Sequence, residues 1–311
     1  MPTGGPVAVT GATGFIGLHL CQRLLALGFG VRALVRDPTR ATELAAYGAE
    51  LIEGDLDNID ALAHLTAGCQ AVVHAAGAVR GNSQADFDRV NVAGTAAIIN
   101  MLTQHETSPR LLLVSSITAG QPQLSWYGQS KLSAEKLLQE QPELDWVILR
   151  PPAVYGPGDK EMLPIFQTMY RGLATVPGSP EARTSLIYVA DLVEAIIACL
   201  ASETARHQTL SLHDGREGGY SWHEMAAIAG AHWSRRVRLW QVPRWLLDLV
   251  AAANSWLAGI TGRAPMLTPP KLRELRHPDW VMDNRAISDA TGWQPRVQLK
   301  QGLELLNIPA L

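Results

Sequence analysis

The sequence predicts an α/β protein, a doubly wound parallel sheet with a smaller, mostly C-terminal substrate domain. Three observations carry that expectation. Apolar strand patterns alternate with helical ones through the first 150 residues, the mark of a parallel sheet covered on both faces. A glycine turn, Gly11, Gly14 and Gly17, joins the first strand pattern to the first helical one. From Ser211 onward the alternation gives way to a stretch that holds seven of the nine tryptophans.

Val7 to Val9 read as a short buried strand. The helix after it carries Phe15, Ile16, Leu20, Leu24, Leu25 and Leu27 as apolar positions. Glycines between a strand and a helix let the backbone approach a pyrophosphate, and the helix N-terminus offers unpaired N–H groups and a positive dipole end. Gly11, Thr13, Gly14, Phe15, Ile16 and Gly17 are therefore candidate dinucleotide contacts. The spacing is G-x-x-G-x-x-G, and by itself it is equally compatible with a structural turn.

Val31 to Val35 is the second strand, and Arg36-Asp37 follow it. A carboxylate at this place suits the 2′-hydroxyl of NAD, and an arginine suits the 2′-phosphate of NADP. Arg36 comes first, so NADP is favoured over NAD; the alternative is a solvated turn with an internal charge pair. Ala49 to Glu53 is the third strand. Asp55 and Leu56 after it are candidates for the adenine side, and Asp57 is expected to cap the next helix. Ala71 to Val73 is the fourth strand, leading into His74 and the small residues Ala75, Ala76 and Gly77 that let backbone pass close to a cofactor. His74 reads as a packed strand-end histidine.

Residues 78 to 88 read as a polar loop, and a helix is expected from Asn91 to His105, with Asn91 placed to hold neighbouring backbone groups. Leu111 to Val114 is the fifth strand and ends in Ser115-Ser116, where open α/β sheets bind ligands. Trp126 opens a helix to about Gln139. Tyr127 and Lys131, four apart, share one face of it. A free phenol, with pKa near 10, is a poor proton shuttle at neutral pH. A neighbouring ammonium stabilises the phenolate, and a serine hydroxyl beside the phenol can hold a substrate oxygen.

Trp146 to Leu149 is the sixth strand, stopped by Pro151 and Pro152. The prolines are expected to shape a pocket wall, with Val154-Tyr155-Gly156 beside the nicotinamide of a bound cofactor, which makes Pro151 and Val154 candidate cofactor contacts. Glu161 to Arg171 reads as helix, Thr175 to Pro180 as loop, Ser185 to Val189 as strand, and Asp191 as the cap of a helix through Leu200. Trp245, Leu249, Ala252 and Trp256 recur at helical spacing within Pro243 to Ile260. The plain reading is a helix packed on its own domain. The sharper readings are a greasy lid over an apolar substrate or a membrane-surface patch. Arg263 to Arg276 reads as a connecting segment.

Composition narrows the function classes. Hydrophobic residues are 47% and charged residues 18% of 311, ordinary for a soluble enzyme. The formal net charge of −3 gives no general attraction to polyanions, so the arginines between Trp233 and Trp240 are not expected to bind nucleic acid. Cys21, Cys69 and Cys199 show neither metal spacing nor an even-numbered framework, and read as reduced core thiols of a cytosolic protein. No metal site is expected. The first strand begins near residue 6, with no room for a signal peptide, and no uncharged apolar run of 18 residues suggests a span. A cytoplasmic location without membrane association is the expectation.

Taken together, Thr10 to Gly17, Asp55, His74 to Gly77, Asn91, Ser116 and Tyr127 with Lys131 resemble the short-chain dehydrogenase/reductase superfamily. Leu149 to Asp159, Tyr188 to Ala195 and Asp283 to Pro295 resemble its extended branch, which holds nucleotide-sugar epimerases and dehydratases, dihydroflavonol-reductase-like and 3β-hydroxysteroid-dehydrogenase-like enzymes. Met266 to Ala286 is similar to the hydroxysteroid-dehydrogenase-like members.

The resemblance implies a Rossmann-like NAD(P)-binding domain over 1–155 and about 184–212, and a substrate region over about 156–183 and 213–311. It implies Ser116, Tyr127 and Lys131 as the catalytic set, with Lys131 binding the nicotinamide ribose and lowering the tyrosine pKa. It leaves a homodimer open. Two features depart from the branch. Only eleven positions separate Ser116 from Tyr127, and Thr184 stands where nucleotide-sugar members carry an arginine, with Arg183 one place off. The expected chemistry is hydride transfer between NADP(H) or NAD(H) and a carbonyl or hydroxyl carbon of an apolar, steroid- or flavonoid-like small molecule. The alternative is a nucleotide-sugar epimerase or dehydratase with tightly held NAD. A dinucleotide-binding regulatory subunit without turnover is a third reading, against which the presence of both Tyr127 and Lys131 speaks.

Overall fold

Period-two burial on both faces organises the molecule. In the strand Val7–Thr10, Val7 and Val9 enter one core while Ala8 enters the other. Leu111 and Leu113 likewise oppose Leu112 and Val114 in the strand Arg110–Val114. Strands buried on both faces need helices above and below, and the chain supplies them. The structure is a computed structural model describing residues 4–105, 108–261, 267–306 and 308, with backbone alone for 259–261.

The first half runs β1 (Val7–Thr10), α1 (Phe15–Ala26), β2 (Val31–Val35), α2 (Thr42–Ala46), β3 (Glu50–Glu53), α3 (Ile59–Thr66) and β4 (Ala71–His74). It continues through α4 (Gln84–Phe87), α5 (Ala93–Leu102), β5 (Arg110–Val114), α6 (Trp126–Gln139) and β6 (Trp146–Arg150). The second half runs β7 (Ala153–Tyr155), α7 (Leu163–Tyr170), β8 (Leu173–Val176), β9 (Arg183–Thr184), β10 (Leu186–Tyr188), α8 (Val189–Ala201) and β11 (Gln208–Ser211). It closes with β12 (Tyr220–Ser221), α9 (Trp222–His232), β13 (Arg238–Gln241), α10 (Arg244–Thr261), α11 (Pro269–Leu275), β14 (Asp279–Trp280), α12 (Arg285–Thr291) and α13 (Leu299–Leu305).

Seven strands form one parallel sheet in the order β11-β6-β5-β4-β1-β2-β3. The order reverses between β1 and β4, so the crevice of a doubly wound sheet opens beyond their C-terminal ends. Helices α1 and α8 cover one face and α3, α5 and α6 the other. Leu20 and Leu24 of α1 are fully buried, each contributing about 2 kcal/mol by loss of water contact. A third core, around Tyr155, Phe166, Leu186, Tyr220 and Leu299, belongs to the second half of the chain. Ile287, Ala290 and Trp293, around α12, return to the first core.

Several local expectations are corrected. Residues 84–87 are helical, because Ser83 and Asp86 form a capping box; the helix then passes through a π turn at Asp88–Val92 into α5. Asn58, one residue beyond Asp57, caps α3 by accepting from Ala61 N at 3.0 Å. Thr175 and Val176 belong to β8, which pairs with β13. Asp191 does not cap α8; its Oδ2 accepts from Arg296 N and Val297 N, both at 2.8 Å, and ties the C-terminal segment to that helix. Pro269–Leu275 is helix where a connecting segment was expected, while 262–266, with Arg263 and Met266, lie outside the described residues. Cys21, Cys69 and Cys199 are buried free thiols. No helix among the described residues is long and apolar enough to cross a membrane.

Candidate active site

The glycine turn is built for close approach. Gly11 has φ +71°, and a Cβ there would lie 2.6 Å from Ala76 N, so β1 and the 75–77 segment after β4 nearly touch. A Cβ on Gly17 would collide with Gly11 O, which holds α1 tight against the turn. Gly14 is the N-cap of α1, and no side chain caps that end. Its first-turn N–H groups therefore face the crevice as a pyrophosphate site requires. Thr13 is exposed there, while Phe15 and Ile16 are half-buried. His19 Nε2 lies 2.8 Å from Pro157 O, bringing the 156–158 turn over Phe15.

Arg36 is exposed at the end of β2. The neighbouring Asp37 spends its carboxylate on its own turn, accepting from Thr39 Oγ1 and from Thr39 N at 3.0 Å, and the hydroxyl bond above all holds it below the usual carboxylate range. Asp55, exposed after β3, accepts from Asp57 N at 3.0 Å, and Leu56 packs on Gly94 of α5. Ala75 and Ala76 are half-buried and Gly77 exposed, with a Gly77 Cβ position 3.1 Å from Asn91 Oδ1 and 3.2 Å from Lys131 Nζ.

Asn91, in the π turn, clamps this segment. Its Oδ1 accepts from Ala78 N at 2.8 Å, and its Nδ2 donates to Ala78 O at 3.1 Å and to Ser130 Oγ at 2.8 Å. His74 is a packed residue: Nδ1 sits 2.7 Å from Thr10 Oγ1, and burial together with the Lys131 charge pushes its pKa down to about 3. Pro151 is buried and its carbonyl accepts from Ile117 N at 3.0 Å; half-buried Val154 packs against the first core. All of these stand at the C-terminal edge of the sheet.

Ser116, Tyr127 and Lys131 meet there. Ser125 caps α6 by accepting from Gly128 N at 3.0 Å, worth about 1 kcal/mol, and so fixes the first turn that carries Tyr127. The Tyr127 phenol lies near enough to Ser116 for that hydroxyl to favour its ionised form, and Lys131 Nζ stands 5.9 Å from the tyrosine ring centroid while donating to Val114 O at 2.9 Å. Ser116 Oγ also accepts from Thr118 N at 3.2 Å and from Thr118 Oγ1 at 3.0 Å. Ser115 points elsewhere, donating to the fully buried Glu135, which Arg150 also pairs.

The electrostatics differ from the expectation that Lys131 lowers the tyrosine pKa. Crowding by protein pushes the Tyr127 phenol well above its ordinary value, the Ser116 hydroxyl pulls it back, and the Glu274 charge raises it further. Burial pushes Lys131 down to about 8, against the attraction of Glu135.

Tyr127 forms part of the floor of a small open cleft lined by Val79, Phe87, Trp126, Pro270, Lys271 and Glu274, among others. The last three come from α11 and were not singled out in the sequence. Glu274 is 7% exposed; one carboxylate oxygen pairs with Lys271 and the other, Oε2, is buried without a partner. No local signal marks it, since it reaches Tyr127 from 147 positions away.

The fold and this edge of the sheet define a nicotinamide-dinucleotide oxidoreductase of the extended short-chain dehydrogenase/reductase type. The chain belongs to the NAD dependent epimerase/dehydratase family, whose sequence profile matches residues 7–210. It is 32% identical to a ceramide reductase of Caulobacter vibrioides over 92% of this chain and 88% of that protein. It is 30% identical to a 2-alkyl-3-oxoalkanoate reductase of Shewanella oneidensis over 62% of this chain and 58% of that one. In structure it is similar to a UDP-glucuronic acid 4-epimerase of Bacillus cereus solved with UDP-glucuronic acid and NAD. The TM-score is 0.74 at 20% identity, covering 96% of this chain and 97% of that one, a likeness of fold.

Proposed function

We propose that the protein is a reductase that moves a hydride from NADPH to the carbonyl carbon of an apolar small molecule. The observation that carries this reading is the convergence of Ser116, Tyr127 and Lys131 at the C-terminal edge of the sheet, with Tyr127 in the wall of a cleft to which Val79, Phe87, Trp126 and Pro270 give an apolar side. The uncapped N-terminus of α1 and the Gly11–Ala76 approach fit a dinucleotide, which when bound supplies the hydride. Gly11, Thr13, Gly14, Phe15, Ile16 and Gly17 cradle its pyrophosphate, while Asp55, Leu56 and Ala75 to Gly77 line its path. Pro151 and Val154 border the nicotinamide end, and Lys131 holds the adjoining ribose.

Tyr127 Oη gives its proton to the substrate oxygen, Ser116 Oγ holds that oxygen, and Asn91 keeps the 78 backbone and Ser130 in place around them. Phe87, Trp126 and Val79 suit a ring system or a long alkyl chain. Ceramide reductase and 2-alkyl-3-oxoalkanoate reductase, by their names, act on such lipid-like molecules, and steroid- and flavonoid-like ketones belong in the same screen.

A nucleotide-sugar substrate is disfavoured. The Arg183 guanidinium is already engaged with Gly218 O, Gly219 O and Glu224, and Thr184 cannot supply a cation. The NADPH preference rests on Arg36, since Asp37 is held by its own turn. Fluorescence titration of cofactor-free protein with NADPH and NADH tests it. Tighter, reversible NADPH binding is expected, with the preference cut about tenfold or more in Arg36→Ala through loss of a charge-assisted contact. Equal affinities in the parent protein, or NAD retained through purification, refute the reading.

A further inference from the structure

Helix α10 carries a stripe of large apolar side chains on the outside, while Leu246 and Leu247 are half-buried. Trp245, Leu249 and Trp256 are 68%, 60% and 69% exposed, while Ala251 and Ala258 are the buried residues of the helix. At about 100° per residue, positions 245, 249, 252 and 256 fall in a stripe only about 60° wide, and the two buried alanines lie on the far side. The helix is held to the body through its small and polar side: Asn254 Nδ2 donates to Leu267 O at 3.3 Å, and Asp248 accepts from Arg276 Nη1 at 2.8 Å. A helix stabilised chiefly by burying its largest side chains would turn Trp245, Leu249 and Trp256 inward. The helix does pack on its own domain, against α11, but Trp245, Leu249 and Trp256 take no part in burying it.

The charge around the stripe is as unusual as its exposure. Residues 235–258 hold four exposed arginines, Arg236, Arg238, Arg244 and Arg235, the last stacked on Tyr170 and donating to its carbonyl, against one acid, Asp248, which Arg276 already pairs. This basic stretch sits in a chain of net charge −3. Trp240, two residues beyond Arg238 on the edge strand β13, is 47% exposed. Exposed indoles beside arginines, on an apolar stripe too short and too charged to span, match the interfacial region of a bilayer.

We propose that α10 docks this protein on the surface of an anionic bilayer, laying Trp245, Leu249 and Trp256 among the acyl chains, with the arginines of 235–244 meeting the lipid phosphates and carboxylates. Four exposed arginines against one acid that is already paired complement an anionic lipid surface, whereas a second copy of the chain carries the same excess of positive charge. The location has a use. Helix α10 packs on α11, whose Pro270, Lys271 and Glu274 line the cleft over Tyr127. A ketone dissolved in the membrane would meet the cleft from the docked side. That use rests on the reductase reading; the docking itself does not.

Co-sedimentation of the full chain with vesicles of phosphatidylcholine, with and without phosphatidylserine, tests the proposal without reference to turnover. Partition is expected to rise about tenfold or more with phosphatidylserine and to fall with added salt. Tryptophan emission is expected to be quenched by brominated acyl chains. The triple variant Trp245→Ser/Leu249→Ser/Trp256→Ser is expected to lose at least about tenfold in partition, since the burial of three large apolar side chains is lost. Arg236→Gln/Arg238→Gln is expected to lose about fivefold per arginine, on phosphatidylserine vesicles alone. Both variants change exposed side chains and should bind NADPH as the parent does, which separates loss of docking from loss of fold. Equal partition of parent and triple variant overturns the proposal, as does a parent that ignores both vesicles. So does a parent dimer in light scattering that becomes monomeric in the triple variant while neither binds lipid, which would assign the stripe to a second copy.

Discussion

Replacing Lys131 by methionine is expected to make the protein more stable and less active. Lys131 is 5% exposed, and burial lowers its pKa from 10.5 to about 8. At 1.36 kcal/mol per unit, holding the ammonium in this site costs on the order of 3 kcal/mol at neutral pH. Methionine fills a similar volume without the charge. It gives up the hydrogen bond to Val114 O, worth about 1.5–3 kcal/mol for a charged donor, so the net gain is about 1 kcal/mol. The pH dependence is the sharper signature. Between about 8 and 10.5 the unfolded parent binds a proton that the folded parent has released, so parent stability rises with pH through that window. The advantage of Lys131→Met is therefore largest below pH 8 and shrinks as pH rises toward 10.5. Urea unfolding of both proteins at a series of pH values reads this directly. A variant less stable than the parent at pH 7, or a difference that grows with pH, would refute the reasoning.

Tyr127→Phe keeps the ring beside Phe87, whose centroid lies 6.2 Å away, and removes only the hydroxyl. Turnover of a confirmed ketone should fall about 10²- to 10⁴-fold with NADPH affinity little changed; an unaltered kcat sinks the proton-transfer role. Gly11→Ala forces a side chain onto a backbone with φ +71° and within 2.6 Å of Ala76 N. It should cost at least about 1–2 kcal/mol of stability and abolish dinucleotide binding, read by thermal melts with and without NADPH. A variant that still melts higher with NADPH would show that the glycine turn does not hold the pyrophosphate.

What the sequence could announce was local. The sheet strands are short apolar runs bounded by glycines and polar turns, and both Gly11–Gly17 and Tyr127–Lys131 lie within single turns of chain, where spacing alone determines neighbourhood. Even the Asn91 clamp was readable as a role, because its partner Ala78 is thirteen positions away. Caps slipped by one residue at Asp57 because Asp and Asn compete for the same geometry, and only backbone angles choose between them. Glu274 was invisible, since nothing near it in sequence predicts that α11 folds over the cleft. Helix α10 shows the limit most plainly. Its stripe of Trp245, Leu249 and Trp256 predicts a helix, but periodicity is indifferent to whether the apolar face looks inward or out.

Burial in this site pushes the tyrosine pKa up and the lysine pKa down, so it disfavours both charged forms. A tyrosine whose pKa lies above the ordinary value is fully protonated at neutral pH but a weak acid, and it gives up its proton only to a strong base. In the proposed reduction that base is the oxygen on which negative charge builds as the hydride arrives. The same burial makes the reverse step harder, because Tyr127 would have to lose a proton that Ser116 favours releasing while Glu274, bringing a negative charge toward the phenol, opposes it. Neutralising Glu274 is then expected to favour the oxidative direction. In Glu274→Gln, the pH needed for alcohol oxidation should fall relative to the parent, while ketone reduction at neutral pH should stay level or quicken, because the phenol stays protonated and becomes the stronger acid. A pH profile for oxidation that does not move would mean that Glu274 is too far from the phenol to act on it, and would leave the directional preference without its electrostatic cause.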